Sequence, residues 1–163
     1  MVAPLDKSAP ATMNQTLAID LATAADVPDL IALYRQLDQG GTPAPPITLE
    51  RALKTWRAIA ANPNHKILVA RLGGRVVGCS DIVIVQNLRH GRPYAILENV
   101  VVDEKHRSLG IGRALTDRAV ALAREAGCYR VSLTSDRRRA DAHRFYEREG
   151  FAFTHRGYRK LLD

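Results

Sequence analysis

The stretch Asp103 to Leu115, DEKHRSLGIGRAL, places Gly110 and Gly112 one residue apart behind a charged, basic run. The apolar run YAILENVVV (94–102) precedes it and reads as a strand; the residues after Gly112 read as a helix. A helix N-terminus leaves backbone N–H groups without partners and carries a partial positive charge. Glycines beside it let a ligand approach the backbone, so the combination suits a phosphate or pyrophosphate. Rival phosphate motifs fail. The third glycine of G-x-G-x-x-G would fall at Leu115, and no G-K-[ST] follows. Alone, Gly-x-Gly is more often a turn that starts a helix. The strand before it holds a second point of chemistry, the polar pair Glu98-Asn99 among apolar neighbours.

These residues need a frame. TLAIDL (16–21) reads as a first strand, and Thr23 with Asp26 as the cap of a helix through about Leu37. DQGGTPAPP is a loop, and Thr48 caps a second helix to about Ala61, with Leu49, Leu53, Trp56 and Ile59 on one stripe. HKILVARL and RVVGCSDIVIV flank Gly73-Gly74 as a hairpin. The helix after the glycines should bury Leu115, Ala119, Leu122 and Ala126 and close at Gly127. YRVSLT is expected as a strand, ADAHRFYEREG as a helix ending at Gly150, and FAFTH and YRKLL as closing strands. The order β-α-α-β-β-β-α-β-α-β-β predicts a three-layer α/β/α domain around a mixed sheet.

Composition narrows the class. The 163 residues, 46% hydrophobic and 25% charged, suit one globular domain over 16–163. Residues 1–15, rich in Ala, Pro, Ser and Thr, read as a mobile tail without the features of a signal peptide. No apolar run reaches the roughly 20 residues of a membrane span. Cys79 and Cys128 stand far apart without metal-ligand spacing, so no metal is expected, both read as strand fillers, and a cytoplasmic, reducing setting is the simpler reading. The net charge of +7 favours anions without naming one. Aromatics do not alternate with basic residues as in single-strand binders, so nucleic acid is not the expected partner.

RSLGIG (Arg107–Gly112) resembles the Q/R-x-x-G-x-G/A signature of the GNAT acetyltransferase superfamily. LENVVVDEKHR before it resembles that family's fourth strand, and AHRFYEREGF (Ala142–Phe151) its closing helix, in the family's order and spacing. The resemblance implies a mostly antiparallel sheet splayed at the cofactor, and acetyl transfer from acetyl-CoA to an amine. It places Arg107, Ser108, Leu109, Gly110, Ile111, Gly112, Arg113 and Ala114 on the CoA pyrophosphate. Val100, Val101, Val102, Arg139, His143 and Tyr146 would line the rest of the cofactor.

A thioester is already activated, but an alkyl amine, with a pKa of about 10, must lose a proton before it attacks. Glu98 is the candidate base; it reads equally as a solvent-facing strand residue or an arginine partner. In the family the strand bulges and turns a backbone N–H to the thioester carbonyl, which puts an amide near Val100 in that role. Tyr146 is the candidate acid for the CoA sulfur, against a reading as a core aromatic beside Phe145; His143 is expected to be structural or peripheral. The run Arg137–Arg139 is either a solvated loop or a contact to CoA phosphates or an acidic substrate, and Arg139 stands where many family members have asparagine.

RRRADAHRFYEREGF resembles the subgroup that includes aminoalkylphosphonate N-acetyltransferases. The expected acceptor is a small amine, with the loops 38–48 and 86–94, or Arg89, His90, Arg92, His155 and Arg156, around it. Acetylation of a protein N-terminus, a lysine or aminoacyl-tRNA, and a non-catalytic acyl-CoA or nucleic-acid module, remain as alternatives. A homodimer is left open.

Overall fold

The computed structural model describes residues 16–37, 46–160 and 162. The expected tail and residues 38–45 of the expected acceptor loop lie outside the described residues. The chain forms β1 (Leu17–Leu21), α1 (Val27–Leu37), α2 (Leu49–Ala60), β2 (His65–Leu72), β3 (Arg75–Val85), β4 (Tyr94–Val102), α3 (Ile111–Glu125), β5 (Val131–Ser132) and α4 (Ala140–Arg148). Thr23 and Asp26 form a reciprocal capping box that opens a 3-10 turn leading into α1. At α2, Thr48 Oγ1 accepts from Arg51 N at 3.3 Å.

The five strands lie in the order β1-β2-β3-β4-β5. The first four are antiparallel neighbours, and β5 joins β4 in parallel. Strand alternation sends side chains to two separate cores. Leu68 and Ala70 of β2 meet Ile111, Leu115, Ala119 and Ala123 of α3, whereas Ile67 and Val69 meet Leu30 and Leu33 of α1. Helices therefore cover both faces. The buried stripe of α3 is Ile111, Leu115, Thr116, Ala119 and Ala123, with Ala126 exposed. The helix starts at Ile111 and ends at Glu125, so the stripe keeps an i, i+4 phase from Ile111 and Ala126 falls past the last turn.

Three expectations for the sheet are corrected. YRVSLT supplies only two paired residues, because β5 meets β4 only at Ala95↔Val131 and Ile96↔Ser132. Beyond Ile96 the two strands part, and the sheet is open there. Among the described residues FAFTH and YRKLL form no strand: their alternation suits one, but β5 extends no ladder for them to join. Phe151 alone of these aromatics packs on the core, and Phe153 and Tyr158 are exposed. Cys79 is a buried strand residue as expected, but Cys128 lies half-buried in the turn after α3. Burial pushes both thiols up, so neither is a thiolate near neutral pH.

Candidate active site

The start of α3 is open. Its cap is Gly110 at φ +77°, with no side-chain hydrogen bond and no acid in the first turn. A Cβ at Gly110 would meet nothing within 4 Å, so the left-handed backbone is what requires glycine there. Ser108 is left-handed as well, at φ +63°. As the first three helical residues, Ile111, Gly112 and Arg113 have N–H groups without intrahelical acceptors. Ala114, expected among the pyrophosphate contacts, donates its N–H to Gly110 O at 3.0 Å and has none to offer. Free donors, a positive helix end and left-handed turns together suit an anion. Arg107, Ser108 and Leu109 stand exposed beside it.

Gly112 serves a different purpose from the one its motif suggests. A Cβ there would lie 3.3 Å from Phe145 Cζ and 3.7 Å from Val102 Cγ2. The missing side chain lets α4 pack onto the start of α3, next to the end of β4. Three elements thus meet at this residue.

The approach to the loop is clamped from α1, a feature with no signal in the sequence. Gln36 Nε2 donates to Asp103 Oδ1 at 3.3 Å, and Glu104 N donates to Gln36 Oε1 at 3.0 Å. His106 Nδ1 lies 2.8 Å from Asp103 Oδ2. Burial alone would raise the Asp103 carboxyl; the hydrogen bonds from His106, Lys105 and Gln36 outweigh it and hold it below the usual carboxylate range.

β4 is broken at its centre. Asp81 of β3 pairs with Glu98, yet Cys79 pairs with Val101, so Asn99 and Val100 together oppose Ser80. This is a β-bulge, with Asn99 at φ +51°. It interrupts the ladder next to Val100, the residue expected to offer its amide. Glu98 is exposed, on the face that carries α1. Opposite it, Asp81 is buried and accepts from Asn99 Nδ2 at 3.0 Å. The sequence reading missed Asp81, which looks like one polar residue in an apolar strand.

Tyr146 of α4 is half-buried, edge-on to Phe145 (5.1 Å between centroids) and to Phe151 (5.9 Å). Burial raises its pKa against the opposing pull of Arg139, and no hydrogen bond holds its hydroxyl among the described residues. A hydroxyl so placed stays protonated at neutral pH and is available to donate. His143 is engaged elsewhere: its Nε2 lies 2.9 Å from Asp136 O. Arg138 makes a two-point contact with the Asp136 carboxylate, at 2.9 Å from both Nε and Nη2. Those hydrogen bonds hold Asp136 far below the usual range.

Two residues expected near the acceptor are occupied at the other end of β4. Arg92 donates to Gly127 O, and His90 stacks on Tyr129 at 4.5 Å. His155 and Arg156 are exposed. Among the described residues, no group of three or more His, Cys, Asp or Glu could hold a metal ion, and no helix is long and apolar enough to cross a membrane.

Comparison with known proteins bears on this geometry. The model of the acetyltransferase (GNAT) family matches residues 27–151. Glucosamine 6-phosphate N-acetyltransferase from Trypanosoma brucei brucei is 36% identical over 87 residues, 53% of this chain and 57% of that one. Aminoalkylphosphonate N-acetyltransferase from Salmonella typhimurium is 34% identical over 101 residues, 62% of this chain and 66% of that one. The matched stretch thus spans less than two thirds of either relative. A solved structure described as a putative acetyltransferase from Agrobacterium tumefaciens superposes with a TM-score of 0.81 at 35% identity, covering 89% of this chain and 99% of that one. An uncapped helix start after a bulged, half-open strand, in a chain whose family match spans both, identifies the protein as a member of the acetyltransferase (GNAT) family.

Proposed function

We propose that the protein transfers an acetyl group from acetyl-CoA to the primary amine of a small acceptor. The observation that carries this reading is the continuity of the bulged second half of β4 with the uncapped start of α3. The cofactor of the family fits this ground: free amides at Ile111, Gly112 and Arg113 suit a pyrophosphate, and a Cβ at Gly110 would meet nothing within 4 Å among the described residues. Acetyl-CoA supplies an acyl group already activated as a thioester. Val100, Val101 and Val102 lie along the approach to it, and Arg107, Ser108 and Leu109 frame the phosphate end. Arg139, at the start of α4, adds positive charge beside Tyr146.

The chain's own task is to manage protons and charge. Glu98 accepts the proton of the acceptor ammonium, directly or through water. The amide at Val100 donates to the thioester oxygen as charge builds on it. Tyr146 gives its proton to the departing sulfur. The acceptor we assign is an amine that also bears a phosphate or phosphonate. Both relatives described above are named for such substrates, and the chain carries a net charge of +7. Two free thiols support a reducing, cytoplasmic setting.

The test is a panel of amines incubated with acetyl-CoA, followed by CoA-thiol release and by product mass. Aminoalkylphosphonates and amino sugar phosphates should gain one acetyl group, faster than their uncharged counterparts. Turnover of the uncharged amines alone would remove the anionic acceptor. Turnover of none, with acetylation of peptides instead, would remove the small acceptor.

A further inference from the structure

Asp81 is a buried carboxylate that the proton transfers above do not use. It is 5% exposed, at the middle of β3, opposite Glu98. A carboxylate so placed is costly unless its lone pairs are filled. Tyr34 Oη of α1 donates to Oδ1 at 3.2 Å, and Asn99 Nδ2 of β4 donates to Oδ2 at 3.0 Å. His65 Nε2 of β2 lies 3.5 Å from Oδ2. Burial, reinforced by Asp81 itself, holds the Tyr34 hydroxyl protonated, so it faces the carboxylate as a donor. Residues from α1, β2 and β4 thus converge on one acid in β3.

One of these partners is not ordinary strand. Asn99 is left-handed in the middle of β4, and together with Val100 it makes the bulge. An L-residue is strained in that region, and asparagine less than most. Local preference therefore permits the bulge at this residue, and the bond to Asp81 selects it. Slipping the register by one residue would carry the Asn99 side chain away from Asp81 and leave the carboxylate short of a donor.

We propose that Asp81 is a positioning residue for acetyl transfer: by holding the Asn99 carboxamide it fixes the bulge in β4 and thereby the direction of the Val100 N–H. This rests on the reading of Val100 as the donor to the thioester oxygen. Asp81 is buried, and its effect passes through the backbone of β4. Tyr34 serves the same end by anchoring the carboxylate from the helix side.

A double-mutant cycle tests this. Asp81→Asn removes the charge, and Asn99→Gly lets the backbone turn left-handed without an anchor. Asp81→Asn should lower kcat by about tenfold to a hundredfold, less than outright loss of such a donor, with KM for acetyl-CoA nearly unchanged. Asn99→Gly should cost about threefold, because a free glycine wanders. On top of Asn99→Gly, Asp81→Asn should cost no more than about threefold, which is the signature of coupling between them. An equal loss in both backgrounds overturns the proposal.

The three-bond coupling between HN and Hα at position 99, which reports φ, separates two failures. If kcat falls while that coupling stays put, Asp81 does not position the bulge. If the coupling changes while kcat holds, Val100 is not the donor and Asp81 is an anchor of the fold only. Should Asp81→Asn not fold, Asn99→Ala against Asn99→Gly carries the test. Alanine lacks both the anchor and the tolerance, so it should lose about tenfold more kcat than glycine. Equal kcat for the two overturns the proposal.

Discussion

The two ends of β4 are built differently. At Ala95 and Ile96 the strand is paired on both sides, with β3 and with β5. The side chains there are equally engaged: Arg130 lies 4.9 Å over Tyr94 and 5.5 Å over Tyr129, and Arg92 holds the carbonyl of Gly127. From Glu98 onward nothing among the described residues pairs on the β5 side, the ladder slips, and left-handed residues follow at Asn99, Ser108 and Gly110. The helix that comes next has no side-chain cap, whereas α2 is closed by Thr48. Buried backbone groups ordinarily find partners within the chain. The open end leaves such groups free at the start of α3, and it is there that we propose the cofactor binds.

The largest effect expected from breaking the open end is at Tyr146. Tyr146→Phe keeps the ring contacts with Phe145 and Phe151 and removes only the proton. kcat should fall by about tenfold to a thousandfold, with acetyl-CoA affinity and Tm nearly unmoved. Because burial raises this hydroxyl, the protonated donor should persist to a pH above the ordinary tyrosine value of about 10. Any alkaline loss of rate that belongs to it starts there. Collapse of Tm with kcat intact would make the hydroxyl a packing group.

Glu98→Gln comes next. Its rate should drop about tenfold to a hundredfold at neutral pH and recover in part as pH rises toward 10, where more of the amine is already neutral. Parallel pH profiles for the variant and the parent would take Glu98 out of the mechanism.

Gly110→Ala acts on binding. Forcing an L-residue into a left-handed cap costs about 1–2 kcal/mol, which should weaken acetyl-CoA by roughly tenfold in calorimetry. Unchanged affinity would show that the cap geometry is not what holds the anion. Gly112→Val, by contrast, should disturb α4 through Phe145 and lower kcat along with affinity.

The smallest effect belongs to the closed end. Arg130→Ala removes a cation over two tyrosine rings, worth about 0.5–1 kcal/mol at an exposed site. Tm should fall by about 1–4 °C with kcat unchanged. Loss of kcat instead would place chemistry at the end of β4 assigned to structure.

This contrast also marks what the sequence could reveal. The glycine pair, the apolar run before it and the helix of Tyr146 are local patterns, and each element formed where it was expected. Asp81 lies 47 positions from Tyr34 and 18 from Asn99, and Gln36 lies 67 from Asp103. The slipped register between β3 and β4 sets Asn99 against Asp81, and the packing of α1 on the sheet brings Tyr34 and Gln36 to Asp81 and Asp103; no spacing in the chain encodes either. FAFTH and YRKLL show the opposite error. Their alternation is a strand signal, but pairing needs an edge, and β5 supplies only two residues of one. Gly112 shows a third. Its motif suggested room for a ligand, and the room is taken by Phe145.

The central claim, that acetyl-CoA occupies the open end of β4 and the start of α3, is tested most directly by amide NMR. A nitrogen-15-labelled sample would be titrated with acetyl-CoA and its amide shifts followed residue by residue. The largest changes should fall at Val100–Val102 and from Arg107 to Arg113, with Tyr94–Ile96 and Tyr129 nearly still. Shifts concentrated at the closed end, or a binding isotherm that leaves Gly110, Ile111 and Gly112 unmoved, would contradict the account.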